Sequence, residues 1–112
     1  MEIIDKPWGR EEVLEKNNSY MVKRLTMFKG HRCSLQYHNK KKETILVISG
    51  LLKIIYGNDL KNLGNKIFKP GESFTLDPKV VHRMEALEES IYIEASTPEM
   101  DDVVRLGDDY NR

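Results

Sequence analysis

The apolar residues of this chain come in short runs such as "TILVIS", "LLKIIY" and "SIYIEAS", rich in Ile, Val and Tyr and broken at close intervals by Gly, Asn, Asp or Pro. Runs of that length and composition, bounded by turn residues, are the pattern of an all-β domain. They predict strands near 11–15, 20–28, 33–38, 44–49, 52–56, 66–69, 73–76, 81–86 and 90–96. "VISGLLKII" reads as a hairpin turning at Ser49-Gly50, and "IYGNDLKNLGNKIF" as a second one whose loop carries Gly57, Asn58, Asp59, Gly64 and Asn65. Pro70-Gly71 and Asp77-Pro78 supply further turns. Only the last stretch departs from this pattern: Ser96 or Thr97 before Pro98 and Glu99 predicts a short terminal helix or a docked tail. Many short strands must bury their faces against one another, so a sandwich or small barrel is expected.

The 112 residues suit one compact domain with one core, 1–112, so any substrate must be held by one small unit or by two copies of it. Eighteen basic and eighteen acidic residues cancel, which removes the electrostatic reason to expect nucleic acid or an anionic membrane as partner. Cys33 has no second cysteine with which to form an intrachain disulfide, and a reducing compartment fits. The opening "MEIIDKPWGREE" lacks an apolar stretch of signal-peptide length. The longest aliphatic run, Ile45 to Ile48, falls far short of the roughly 20 residues of a membrane helix. A soluble, cytoplasmic protein acting on small molecules is the expectation.

Within "CSLQYHNKKKETILVISG", Gln36 and His38 stand two apart, and on a strand they project from one face. The turn "NKKK" then reverses the chain and brings Glu43 back beside His38, while His82 opens its own strand after Asp77-Pro78. Two imidazole nitrogens, one carboxylate and one amide oxygen form a mixed ligand set suited to Zn, Fe, Mn, Co or Ni, with one or two positions left for water or substrate. The lysines at 40 to 42 read as a solvated hairpin tip. Cys33 falls on the face opposite Gln36 and reads as core or interface filler, and Trp8 as an anchor for the amino-terminal segment. The acidic tail, with Asp101, Asp102, Asp108 and Asp109, reads as helix-start and surface chemistry.

Gly30, His38, Glu43 and Gly50 follow the spacing of the first cupin motif, and Gly71 with His82 that of the second. In detail the chain resembles the mannose-6-phosphate isomerase cupin module found at the carboxy-terminal end of bifunctional mannose-1-phosphate guanylyltransferase/phosphomannose isomerases. The segments that carry the resemblance are "KPWGREEVLE", "YMVKRLTMFKGHRCSLQYH", "KPGESFTLDPKVVHRME" and "DDVVRLGDDYNR". The resemblance implies a double-stranded β-helix, the cupin jelly roll, with a divalent metal held by Gln36, His38, Glu43 and His82, Gln36 standing where most cupins have His. It departs from the family at Asn39, Lys40, Thr44, Ile45, Asp77, Lys79 and Ala86, positions that shape the pocket mouth rather than the ligand set.

The activity so implied is aldose–ketose isomerisation of a sugar phosphate, or action on a nucleotide sugar, with an exchanged amino terminus joining two copies in a homodimer. Such a reaction needs a Lewis acid and a base beside the carbon acid. Candidates for the base are Glu94, Glu85 and Glu43. For the substrate's phosphate, Arg32, Arg83, Lys23 and Arg24 match family positions; alternation puts Arg32 on the face of Ser34, Gln36 and His38 and makes it the pocket candidate, whereas Arg83 faces away from His82. Glu94 and Arg32 are thus the catalytic candidates. Two other cupin chemistries fit the same ligands: an Fe-dependent dioxygenase or lyase, and a non-catalytic sugar-binding protein.

Overall fold

The computed structural model describes residues 1–110, and among them the regular structure is all strand. In chain order the strands are β1 (Glu2–Lys6), β2 (Gly9–Lys16), β3 (Met21–Met27), β4 (Leu35–Tyr37), β5 (Glu43–Gly57), β6 (Gly64–Phe68), β7 (Ser73–Leu76), β8 (Val81–Ser96) and β9 (Val104–Gly107). Among the described residues the expected terminal helix is absent: residues 98, 100 and 101 make bends, and the tail then adds β9 to the edge of β4. The docked-tail alternative is the one that holds.

Two long antiparallel strands, β5 and β8, form the spine and stay paired from Glu43 opposite Ser96 to Gly57 opposite Val81. Each bends midway and serves two sheets. The first half of β5 pairs with β7 and the second half with β6, while β8 pairs with β4 at its start and with β3 toward its end. One sheet therefore runs β1-β2-β3-β8-β5-β7 and the other β9-β4-β8-β5-β6, curled over a shared core. This is the jelly roll.

The bend explains why no hairpin turns at Ser49-Gly50. Register shifts at Val47/Ser49, Ser49/Leu51 and Leu51/Leu52 mark bulges, which add twist and turn the strand without ending it. Gly50 has φ of 89°, and a Cβ there would meet the Glu89 carbonyl oxygen at 2.3 Å. A residue without a side chain is required at that crossing. The second expected hairpin is present, with Tyr56 opposite Gly64.

Period-2 alternation fills the interior. Leu25 and Met27 of β3, Ile45, Val47, Leu52 and Ile54 of β5, and Met84, Ala86 and Tyr92 of β8 form one buried cluster with Trp8, Cys33, Phe68 and Leu76. Cys33 is filler as expected, and burial pushes its thiol up to about 11, which removes it as a nucleophile at neutral pH. No helix among the described residues is long and apolar enough to cross a membrane.

Candidate metal centre

At one end of the barrel the apolar interior gives way to ionisable groups. Glu43 opens β5, His82 lies at the start of β8, and His38 follows β4, where Gln36 stands directly opposite His82. His38, Glu43 and His82 are all buried, and one ligand atom from each lies within 4.8 Å of the others. Glu43 Oε1 is 3.2 Å from His82 Nε2 and 3.8 Å from His38 Nε2. Atoms that each sit about 2.1 Å from one ion are separated by similar distances.

Both Nε2 atoms and both Glu43 oxygens are buried without a hydrogen-bond partner. Glu43 Oε2 has the Lys41 ammonium at 3.4 Å, but the other three atoms converge on one point and are costly to leave as they are; a divalent cation would satisfy them. The other ring nitrogens fix the orientation. His82 Nδ1 donates to the Val80 carbonyl at 2.9 Å and His38 Nδ1 to the Asp102 carbonyl, leaving each Nε2 turned to the shared point. Protonation agrees. Burial lowers the His38 imidazole below its usual range and keeps it neutral. Burial would raise the Glu43 carboxyl, but His82, Lys41 and His38 together outweigh it and hold the group low, ionised at neutral pH. A neutral imidazole and a carboxylate are the forms that bind metal.

Gln36 lines the same cavity as His38, and its Oε1 accepts a 2.7 Å hydrogen bond from the Ser34 hydroxyl. The cavity, about 340 Å³, is also walled by Trp8, Lys23, Lys41, Tyr92 and Glu94. The lysine run divides: Lys40 and Lys42 are exposed as a solvated tip requires, but Lys41 turns inward and is 6% exposed. Its Nζ lies 3.1 Å from Glu94 Oε2 and 3.4 Å from Glu43 Oε2. Burial opposes the charge on Lys41, yet the two carboxylates hold its pKa above the ordinary lysine value. Burial and the charge on Glu43 raise Glu94 to about 7, against Lys41 and Lys23.

Asp102 holds this turn from the tail. Its carboxylate accepts from the amides of Asn39, Lys40 and Lys41 at 3.0, 2.6 and 2.9 Å, while its own carbonyl receives His38. It is therefore more than surface chemistry, and only its distance from His38 in sequence hid it.

The structure places Arg32 elsewhere. Its Nε is 2.5 Å from Asp109 Oδ2, and the side chain lies at the surface rather than on the cavity wall. Residues 33 and 34 precede the short β4, so strand alternation does not extend back to Arg32. Arg83 donates to the Cys33 carbonyl at 3.0 Å and reaches Asp109 at 3.4 Å. Arg24 pairs with Glu12, and Lys23 with Glu11. Of the candidate bases, Glu94 lines the cavity, Glu43 sits in the histidine cluster, and Glu85 lies outside, bridged in register to Arg32.

Residues 2–108 match the family described as mannose-6-phosphate isomerase C-terminal. The mannose-1-phosphate guanylyltransferase of Escherichia coli K12 is 32% identical over 112 residues, covering 97% of this chain and 23% of that protein. An RmlC-like cupin from Shewanella frigidimarina superposes with TM-score 0.76 at 22% identity, over 89% of this chain and 86% of the other. The capsular polysaccharide assembling protein CapF from Staphylococcus aureus gives TM-score 0.83 at 16% identity, over 94% and 31%. These structures share the fold, and the family match over residues 2–108 carries the assignment: the chain is a cupin domain that belongs to the mannose-6-phosphate isomerase C-terminal family.

Proposed function

We propose that this domain is a metal-dependent sugar-phosphate isomerase that interconverts an aldose phosphate and its ketose, as the family description suggests. The observation that carries the reading is that His38, whose Nε2 is one of the orphaned ligand atoms, shares a cavity wall with Gln36 and with the buried Lys41–Glu94 pair. His38, Glu43 and His82 would hold the ion, with the Gln36 amide oxygen as the fourth ligand. A divalent ion such as Zn, Mn, Fe, Co or Ni supplies a Lewis acid that polarises the substrate carbonyl.

Glu94 moves the proton. A carboxyl raised to about 7 is present in both forms near neutral pH, so it takes a proton from one substrate carbon and returns it to the neighbour. Lys41 fixes the carboxylate through its 3.1 Å contact and compensates its charge while it is ionised. Trp8, Leu25 and Tyr92 exclude water from the wall around it. The protein acts in the cytoplasm as a homodimer.

A second reading, a non-catalytic sugar-binding cupin, draws support from Asn39, Lys40, Thr44 and Ile45, which differ from the usual residues around the ligands. The test is an isomerase assay on mannose 6-phosphate and related sugar phosphates with metal-loaded protein. Turnover that Glu94→Gln abolishes supports the isomerase; metal loading and sugar phosphate binding without turnover on any of them supports the binding protein. Substrate-dependent oxygen uptake with bound iron would point instead to a dioxygenase.

A further inference from the structure

A sugar phosphate brings a dianion as well as a carbonyl into the cavity, and a guanidinium binds phosphate oxygens with two parallel hydrogen bonds. Among the described residues the arginines are Arg10, Arg24, Arg32, Arg83 and Arg105. Three are engaged by carboxylates: Arg24 by Glu12, and Arg32 and Arg83 by Asp109. Of the other two, Arg10 lies off the cavity wall and Arg105 lies on it. No carboxylate among the described residues is within ion-pair distance of Arg105.

The placement of Arg105 follows from the docked tail. β9 pairs with β4 so that Arg105 stands opposite Gln36, and opposed side chains on one sheet face are neighbours, about 5 Å apart at Cβ. Arg105 is exposed, so its guanidinium occupies the cavity mouth while Gln36, His38 and Glu94 line the wall. The remaining cations on the wall are spoken for. Lys6 and Lys23 flank Glu11 at 3.8 and 3.4 Å, and Lys41 lies between Glu43 and Glu94.

We propose that Arg105 is the phosphate anchor, a substrate-binding residue at the mouth that receives the phosphomonoester of the sugar while the carbonyl end points to the histidine cluster. The proposal rests on the isomerase reading for the direction of the substrate, and its binding chemistry is tested separately. An exposed guanidinium without an ion-pair partner pays no carboxylate-breaking cost when phosphate arrives. The same chemistry would accept the diphosphate of a nucleotide sugar, so both classes enter the test.

The experiment is calorimetric titration of metal-loaded protein with mannose 6-phosphate, unphosphorylated mannose, inorganic phosphate and a nucleoside diphosphate mannose, using wild type, Arg105→Gln and Arg105→Lys. Expected for Arg105→Gln is a loss of about tenfold or more in affinity for mannose 6-phosphate and inorganic phosphate, with Arg105→Lys in between. Metal content, unfolding midpoint and any affinity for mannose stay at wild-type values. A nucleoside diphosphate mannose bound more tightly than mannose 6-phosphate, and lost in the same variant, keeps the anchor and overturns the monoester. Equal phosphate affinity in wild type and Arg105→Gln, or no phosphate binding by wild type, overturns the anchor. Phosphate binding that depends on Arg105 without turnover would instead sink the isomerase reading and leave the anchor standing.

Discussion

Lys41 and Glu94 face each other at 3.1 Å inside the barrel, and the chemistry proposed for this domain depends on that contact. Glu94→Gln keeps the shape of the side chain and removes the proton acceptor, so turnover should fall about 10²- to 10⁴-fold while bound metal is retained. The same substitution has a signature in metal-free protein. Glu94 titrates at about 7 when folded, above its ordinary 4.5, so the folded chain holds a proton that the unfolded chain has released between those values. The stability difference, wild type minus Glu94→Gln, should therefore decline as pH rises from 4.5 toward 7 and level off above it. Denaturant melts of both proteins across that range check the sign; a difference that rises would contradict the burial argument.

Asp102 makes the second prediction at this scale. Asp102→Ala removes three acceptor contacts from the turn that carries His38 and Lys41, and should weaken metal binding about tenfold or more. Calorimetric titration with Co(II) or Zn(II) measures it. Neither Lys41 nor Asp102 was legible in the sequence as part of the site. Three consecutive lysines look solvated, and the partners that draw one of them inward lie 53 residues away at Glu94 and 61 away at Asp102. That His38 and Glu43 come together was legible, because a single turn relates them locally. Arg32 misled for the opposite reason: its partner Asp109 is 77 residues downstream.

Among the elements, β5 carries the clearest difference between pattern and structure. Ser49-Gly50 has the composition of a turn, but a positive-φ glycine serves a bulge as well as a hairpin, and only the continuous partner β8 decides between them. Gly50→Ala would place a Cβ 2.3 Å from the Glu89 carbonyl oxygen and force a strained φ, so it should cost about 2 kcal/mol or more of stability. Thermal or urea unfolding tests this; a loss below about 0.5 kcal/mol would show that the crossing is looser than the geometry indicates. β1 and β9 were not legible because none of their positions is buried, which leaves no buried face to set up an alternation. They form by adding to the edges of β2 and β4.

For the whole molecule, the all-β pattern led as far as a sandwich or small barrel, because short strands with alternating faces leave few ways to bury a core, and the cupin resemblance narrowed this to the jelly roll. The outer face of the barrel bears on assembly. Leu46 and Ile48 of β5 are 37% and 49% exposed, and Leu46 stands beside Ile93 of β8. An apolar sheet face of this kind suits the proposed homodimer, with the paired Arg24 and Glu12 nearby able to exchange partners across a twofold axis. Light scattering should give twice the chain mass for wild type and the single-chain mass for Ile48→Lys; a single-chain mass for wild type would refute the dimer.

The metal is the claim on which the rest depends. The most direct measurement is element analysis of purified protein beside the His38→Ala, His82→Ala double variant, each after reconstitution with divalent metal. One metal ion per chain in wild type and none in the folded variant is the predicted result; no bound metal in wild type would contradict the account at its centre.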